Sequence, residues 1–157
     1  MKGMNSIGNK KLLEEPRMRI GVFASRSMDD NATDIIREQW AMAKGRDKKC
    51  VVSTFHSRAE LEILYLVLKH GGSAIWFLGC SLPKSLPSFA KKYVKCKKLL
   101  IVSCFHREHH SIYTARYCCH LTDMVSSYLV FFNRKEKGLL TPIYERASSR
   151  GKWIESF

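Results

Sequence analysis

From Arg19 onward the chain alternates between short apolar runs of strand length and longer stretches whose apolar residues recur at helical spacing. That alternation restricts it to one kind of architecture. The runs are Ile20–Ala24, Cys50–Ser53, Ser73–Leu78, Leu99–Ser103 and Val125–Phe132. They are rich in Val, Ile and aromatic residues at consecutive positions, as strands covered on both faces are. Between them, Asp30–Lys44 sets Ile35, Ile36, Trp40 and Ala43 on one stripe, with Asp30 or Asn31 as its cap. Ser57–His70 opens on the capping-box pattern Ser57-Arg58-Ala59-Glu60 and carries Leu61, Leu64 and Leu68 along one face. It stops at Gly71-Gly72, where glycine can take the left-handed conformation that ends a helix. Ser85–Val94 and Tyr113–Leu121 read as shorter helices, Leu139–Ser149 as the last helix, and Trp153–Ser156 as a final strand.

Strand–helix alternation implies right-handed crossovers, so the expected fold is α/β: a Rossmann-like three-layer sandwich around a mainly parallel central sheet. The 157 residues suit one domain, expected over residues 19–157, and 45% hydrophobic content suffices for its core. Residues 1–18 are polar and without sustained apolar period, and are expected to form a flexible lead-in. They show no apolar stretch of a secretory signal, and no run approaches the ~20 residues a bilayer span needs. The expectation is a cytoplasmic protein without membrane association. Six cysteines then read as free thiols, since Cys50, Cys80, Cys96 and Cys104 border or lie within apolar stretches.

The charge points to a polyanion. Lys and Arg number 27 against 14 Asp and Glu, a formal +13, and residues 91–157 alone carry +8. A small neutral substrate does not need that excess. In a parallel sheet ligands bind beyond the carboxyl ends of the strands. Those ends are Ala24–Arg26, Ser53–Arg58, Leu78–Lys84, Ser103–His110 and Phe132–Gly138, and each carries a basic residue or a histidine. No Gly-x-Gly-x-x-Gly follows the first strand, no Gly-Lys-Ser/Thr phosphate loop occurs, and no Gly-x-Ser-x-Gly elbow supports a serine nucleophile. The Pro-Gly-Gly-x-Gly-Thr signature of nucleotide phosphoribohydrolases is missing too, so neither a catalytic residue nor a cofactor is expected.

Five segments, in unbroken order from Ile20 to Phe157, match motifs of one family. Ala24-Ser25-Arg26 stands where that family has Gly-Ser-Arg. Val51–Glu60 (VVSTFHSRAE) stands where it has Val-Val-Ser-Gly-x-Ala-Arg-Gly-Ile-Asp, and Gly71–Gly79 (GGSAIWFLG) where it has Gly-Gly-x-Thr-Ile-Ala-Val-Leu-Gly. Thr114–Asp123 follows Arg-Asn-Arg-Ile-Ile-Ala-Gly-Leu-Ser-Asp, keeping the second arginine as Arg116. Lys137–Pro142 follows Ser-Gly-Ser-Leu-x-Thr-Ala with one residue fewer. The chain thus resembles a divergent, minimal form of the Rossmann-like core of the DNA-processing protein A family. It departs from the pattern at Ala24, at Thr114 and at the glycines of the second motif, where backbone can no longer approach a phosphate as closely.

The resemblance implies a non-enzymatic, single-stranded DNA-binding domain serving DNA uptake or recombination, with a homodimer and a recombinase partner. By motif position it assigns phosphate contacts to Ser25, Arg26, Ser53, Arg116, Gly138 and Thr141, with Arg58 one position from the family's arginine. Arg26 and Arg116 are expected to converge across one cleft. The bland reading of Arg116 is an ion pair with Asp123 or Glu108.

Other residues extend the basic surface. Lys91, Lys95 and Lys98 would share one helical face and track a phosphate backbone, with Phe89 or Tyr93 stacking a base, or would simply form a solvated face. Tyr113 and Phe105 are further stacking candidates. Cys104, His106, His109 and His110, with Cys118-Cys119-His120 nearby, lack zinc-ligand spacing, so no metal is assigned. A histidine-rich loop beside an anion site would instead bind more strongly below pH ~6.5. The alternative function is a small-nucleotide sensor or hydrolase in the same place, with Glu60 as base or ribose ligand. A dimerising scaffold using Trp76, Phe77 and the Tyr128–Phe132 strand is the third.

Overall fold

The computed structural model describes residues 4–25, 31–134 and 138–157. All five apolar runs are strands of one seven-stranded sheet with order β1-β5-β4-β3-β2-β6-β7. These are β1 Asn5–Gly8, β2 Arg19–Ala24, β3 Cys50–Ser53, β4 Ser73–Leu78, β5 Leu99–Ser103, β6 Tyr128–Phe132 and β7 Ile154–Ser156. Every pairing from β5 to β7 is parallel, and only β1 runs antiparallel, against β5. The central strands are buried along nearly their whole length, which explains why they read as continuous apolar runs rather than alternating ones.

Helices α2 (Asn31–Arg46), α3 (Arg58–Lys69) and α4 (Ser88–Lys95) cover one face, where Ala41, Ile63, Leu64, Val67 and Ala90 meet Ile20, Val51 and Ile101. Helices α1 (Lys11–Glu14), α5 (Ile112–Val125) and α6 (Thr141–Ser149) cover the other, through Leu12, Cys118 and Ala147. The layers change sides between β2 and β6, adjacent strands that are far apart in sequence, and a crevice opens at such a switch point.

The structure corrects several expectations. The lead-in is not structureless over its length: β1 pairs with β5 in register Asn5↔Ser103 to Gly8↔Leu100, and α1 buries Leu12. Four-residue elements are too short to show a period, so packing alone reveals them. Val125 closes α5, and β6 starts only at Tyr128.

The stripe on α2 is also different. Ile35 and Ile36 are exposed, whereas Thr33, Arg37, Ala41 and Gly45 face inward. Arg37 can be buried because Asp34 (2.7 Å) and Glu62 of α3 (2.9 Å) hold its guanidinium. A side chain at Gly45 would place its Cβ 2.7 Å from the Val67 carbonyl oxygen, so glycine permits the close α2–α3 approach. On α3, Leu61 is exposed while Leu64 and Leu68 are buried. Helix α4 ends at Lys95, so Lys98 lies beyond it and shares no helical face with Lys91 and Lys95.

Candidate nucleic-acid interface

The carboxyl edge is assembled by local sequence chemistry. Ser57 caps α3, its hydroxyl accepting the Glu60 N–H at 3.1 Å, as the Ser-x-x-Glu pattern requires. Glu60 reaches further than a capping residue has to. Its carboxylate accepts the N–H of Ala24 (3.1 Å), of His56 (3.0 Å) and of Ser57 (3.3 Å), while the Ser57 hydroxyl donates to the Ala24 carbonyl (3.1 Å). One buried side chain therefore ties the end of β2 to the loop after β3. Burial pushes the Glu60 carboxyl above its ordinary range, opposed by those backbone donors. A side chain so engaged and so buried is a latch for two loops, rather than an oxygen pair presented to a ribose or a substrate proton.

The loop that Glu60 anchors turns at Phe55, whose φ of +43° is unusual for an aromatic residue. Ser53 is fully buried, and its hydroxyl accepts the Phe55 N–H at 3.2 Å. The Phe55 ring then packs edge-on against Trp76 at 5.9 Å. This turn presents His56 and Arg58 to solvent. Across from them, His110 lies 5.0 Å ring to ring from His56 and 3.5 Å, Nε2 to Sγ, from Cys80. The His110 imidazole rests directly on the end of β4: a Cβ at Gly79 would stand 2.7 Å from its Nδ1. Partial burial and the neighbouring His56 hold its pKa below the usual histidine value.

Helix α5 starts beside this cluster, capped reciprocally by Ser111 and Thr114. Tyr113 and Arg116 stand exposed on it, and Tyr117 contacts Phe105 edge-on at 5.4 Å. Among the described residues Arg116 has no carboxylate within ion-pairing distance; Asp123 is taken by Arg150 and Lys152. At the switch point, the Ser25 N–H donates to the Phe132 carbonyl (3.1 Å), joining the ends of β2 and β6. Arg26 lies outside the described residues, as does Lys137, so the expected meeting of Arg26 with Arg116 falls there too.

On the β6 side sits a residue that motif reading missed. Arg134 stacks its guanidinium 3.9 Å from the Tyr144 ring centre and donates to the Thr141 hydroxyl at 3.4 Å, beside Gly138. Its signal was weak, one arginine two residues past a strand, and only the loop geometry distinguishes it.

Lys91 and Lys95 are exposed on α4, but that helix carries Lys95 away from the carboxyl edge, and Lys98 sits where β5 begins. Among the described residues of the carboxyl-edge loops, Glu108 is the one surface carboxylate beside His56, Lys84, His106, Arg107, His109, His110 and Arg134. The described residues bring together no three His, Cys, Asp or Glu side chains able to hold a metal ion. Burial pushes the Cys118 and Cys119 thiols up to about 12, and all six cysteines are unpaired. Two surface clefts open elsewhere, one between β1 and α1 and one around Ser126, Arg150 and Trp153. No described helix is long and apolar enough to cross a membrane.

Neither a protein-family model nor a curated protein sequence matches the chain. Its fold does match solved structures. DNA processing protein A from Helicobacter pylori, described for its single-stranded DNA binding mode, superposes with a TM-score of 0.79 at 16% identity, over 99% of this chain and 71% of its own. DNA processing protein A from Streptococcus pneumoniae gives 0.77 at 18%, over 98% of this chain, which spans just over half (54%) of that protein. The molybdenum-cofactor carrier protein of Chlamydomonas reinhardtii gives 0.59 at 12% identity, over 90% of this chain and 76% of its own. The chain therefore has the Rossmann-like fold seen in DNA processing protein A, at strongly diverged sequence.

Proposed function

We propose that this chain binds single-stranded DNA along the carboxyl edge of its sheet, without catalysing a reaction. One observation carries the reading. Loops following separate strands present His56, His110 and Arg134 on one edge, with Arg58 opening α3, Arg116 on α5 and a single exposed carboxylate among the described loop residues. Guanidinium groups at loop ends suit phosphate oxygens, and the exposed Tyr113 ring suits a base face. The likeness of fold to a protein described for single-stranded DNA binding supports the same ligand.

We assign Ser25, Gly138 and Thr141 to this site because they flank the β2–β6 crevice, and Arg26 because it follows Ser25 in the motif. Ser53 serves it indirectly, by fixing the turn that aims His56. The cytoplasmic location, the homodimer, the recombinase partner and a role in uptake or recombination form the outer part of the proposal. Light scattering of the purified chain tests the dimer.

Fluorescence anisotropy with a labelled oligonucleotide and with a labelled mononucleotide, each at two salt concentrations, tests the ligand. The expected result is tight oligonucleotide binding that weakens steeply with salt, and little mononucleotide binding. Replacing Arg26 and Arg116 with Ala together should cost about tenfold per arginine. Unchanged binding in that double variant, or preferential binding of the mononucleotide, overturns the reading.

A further inference from the structure

Each crossover helix runs back from the carboxyl edge, so helices end where the next strand begins, along the amino edge of the sheet. Four of them finish in the same hydrogen-bonded turn. In α3 the Gly71 N–H donates to Leu68 and the Gly72 N–H to Val67; in α6 Gly151 and Lys152 donate to Ser148 and Ala147. In α2 the donors are Lys48 to Gly45 and Lys49 to Lys44, and in α4 they are Lys97 to Val94 and Lys98 to Tyr93. This turn needs one residue in the left-handed region, and glycine adopts it without strain. Gly71 (φ +109°) and Gly151 (φ +74°) follow the rule. In α2 and α4 the position is held by lysine instead, Lys48 at φ +56° and Lys97 at φ +63°.

The strained lysines stand in a continuous basic rim. The Ser73 N–H donates to the Lys49 carbonyl and the Ala74 N–H to the Lys98 carbonyl, while Asn9 Nδ2 donates to the Lys97 carbonyl at 3.0 Å. Lys48, Lys49, Lys69, Lys95, Lys97 and Lys98 therefore crown neighbouring strand starts, and none has an ion pair among the described residues. Asp47 is the carboxylate in their midst. Arg46 stands exposed at the end of α2 on the same edge, whereas three further cations there are engaged. Arg19 donates to the carbonyls of Leu12, Leu13 and Glu15, and Arg150 and Lys152 hold the buried Asp123. Beside that last pair Trp153 is 68% exposed, with Tyr128 against its ring at 5.6 Å.

Attraction to the negative end of a helix accounts for a lysine in a last turn. It does not account for lysine where glycine is unstrained, nor for unpaired lysines from three helices gathered along one edge that also carries an exposed indole.

We propose that the amino edge is a second docking surface for the phosphate backbone of single-stranded nucleic acid, on the opposite side of the sheet from the carboxyl-edge site. The lysines crown β5, β4 and β3, roughly 10 Å at about 4.8 Å per strand, or about three phosphates of a stacked strand, and the edge runs on past β2 and β6 to Trp153 at β7. The inference rests on the nucleic-acid reading for the class of its ligand, but on none of the same residues.

The test uses the full chain, a labelled oligothymidylate and anisotropy over a range of salt. It compares the parent with Lys48→Gly/Lys97→Gly and with Arg58→Ala/Arg116→Ala. The glycine pair relieves the backbone while removing two charges. It should keep or raise the melting temperature, weaken binding about three- to tenfold and flatten the log–log salt slope by about 1.4, at ~0.7 per charge. Trp153 fluorescence should be quenched on binding in the parent. A lower melting temperature with unchanged binding overturns the proposal and makes the lysines helix-end supports. Lys49→Gln/Lys98→Gln removes charge without touching the left-handed positions and answers the question if the glycine pair folds poorly. Loss confined to Arg58→Ala/Arg116→Ala sinks this surface alone. Loss confined to the lysine variants sinks the carboxyl-edge site alone, and a parent that binds no oligonucleotide sinks both. If phosphatidylglycerol vesicles capture the parent while oligothymidylate does not, the rim serves a lipid surface and the proposal is wrong.

Discussion

The two edges of one sheet carry positive charge in different ways. At the carboxyl edge the charged side chains ride on loops whose backbones are locked. Glu60 accepts three amide protons, the Ser103 hydroxyl donates to the Cys80 carbonyl at 2.6 Å, and the Ser81 N–H donates to the Arg107 carbonyl at 2.7 Å. At the amino edge the backbone work is done by helix-ending turns, and the lysines extend from them without acidic partners among the described residues. Locked loops hold groups at fixed separations and suit a shaped contact. Solvated lysines within a screening length of ~8 Å act as a field. The crossover rule of parallel sheets puts loops of one kind at each edge, so this division of labour follows from topology.

The largest effect should come from breaking the latch. Glu60→Ala leaves the amides of Ala24, His56 and Ser57 without their acceptor in a buried place, a loss of about 3–5 kcal/mol. Thermal melting should fall by about 8–15 °C, and hydrogen exchange should rise first at the end of β2 and in the loop after β3. An unchanged melting temperature would mean that the carboxyl edge is no more built than the amino edge.

Next is the pair Arg58→Ala/Arg116→Ala. It should weaken oligonucleotide binding by about tenfold to a hundredfold with no more than ~0.5 kcal/mol of lost stability, because both side chains are exposed and have no ion pair among the described residues. Anisotropy and melting curves on the same sample check both halves.

Gly79→Ala comes third. Its new Cβ, 2.7 Å from the His110 Nδ1 and 2.9 Å from the Thr114 hydroxyl, must displace the imidazole at a cost of about 1–2 kcal/mol. The NMR signals of His56 and His110 should shift together.

The smallest effect is on pH. His110 is held below the ordinary histidine pKa of 6.5, so the folded chain resists a proton that the unfolded chain accepts. Its contribution to stability is present above ~6.5 and lost as pH falls, and His110→Ala should abolish that part of the slope. Phosphate binding favours the imidazolium, so affinity should rise, by less than about tenfold, between pH ~7.5 and ~5.5.

Much of this was legible in the residues. Buried parallel strands need unbroken apolar runs, and Ile20–Ala24, Cys50–Ser53, Ser73–Leu78 and Leu99–Ser103 fall within a residue of β2, β3, β4 and β5. The Ser57–Glu60 capping box was readable because it is a contact between near neighbours. The buried face of α2 was not. Thr33 and Arg37 do not look apolar, and the burial of Arg37 is tolerable because Glu62, on another helix, joins Asp34 in pairing its guanidinium. Arg134 escaped notice for a similar reason, since Tyr144 and Thr141, which position it, come from the helix that follows.

The order of strands and helices from β2 onward, the excess of cations and the glycine-marked end of α3 are determined by the sequence alone, because each depends on spacing or composition over a few residues. Tertiary structure decided which cations share a surface. The run from Lys91 to Lys98 reads as one basic segment, yet α4 ends inside it. The fold lays Lys97 and Lys98 beside Asn9 and Ala74, a full strand length from His56 and Arg58. Neighbourhood in a sheet is set by hydrogen bonds between strands distant in sequence, and no local pattern encodes which side chains those bonds will gather.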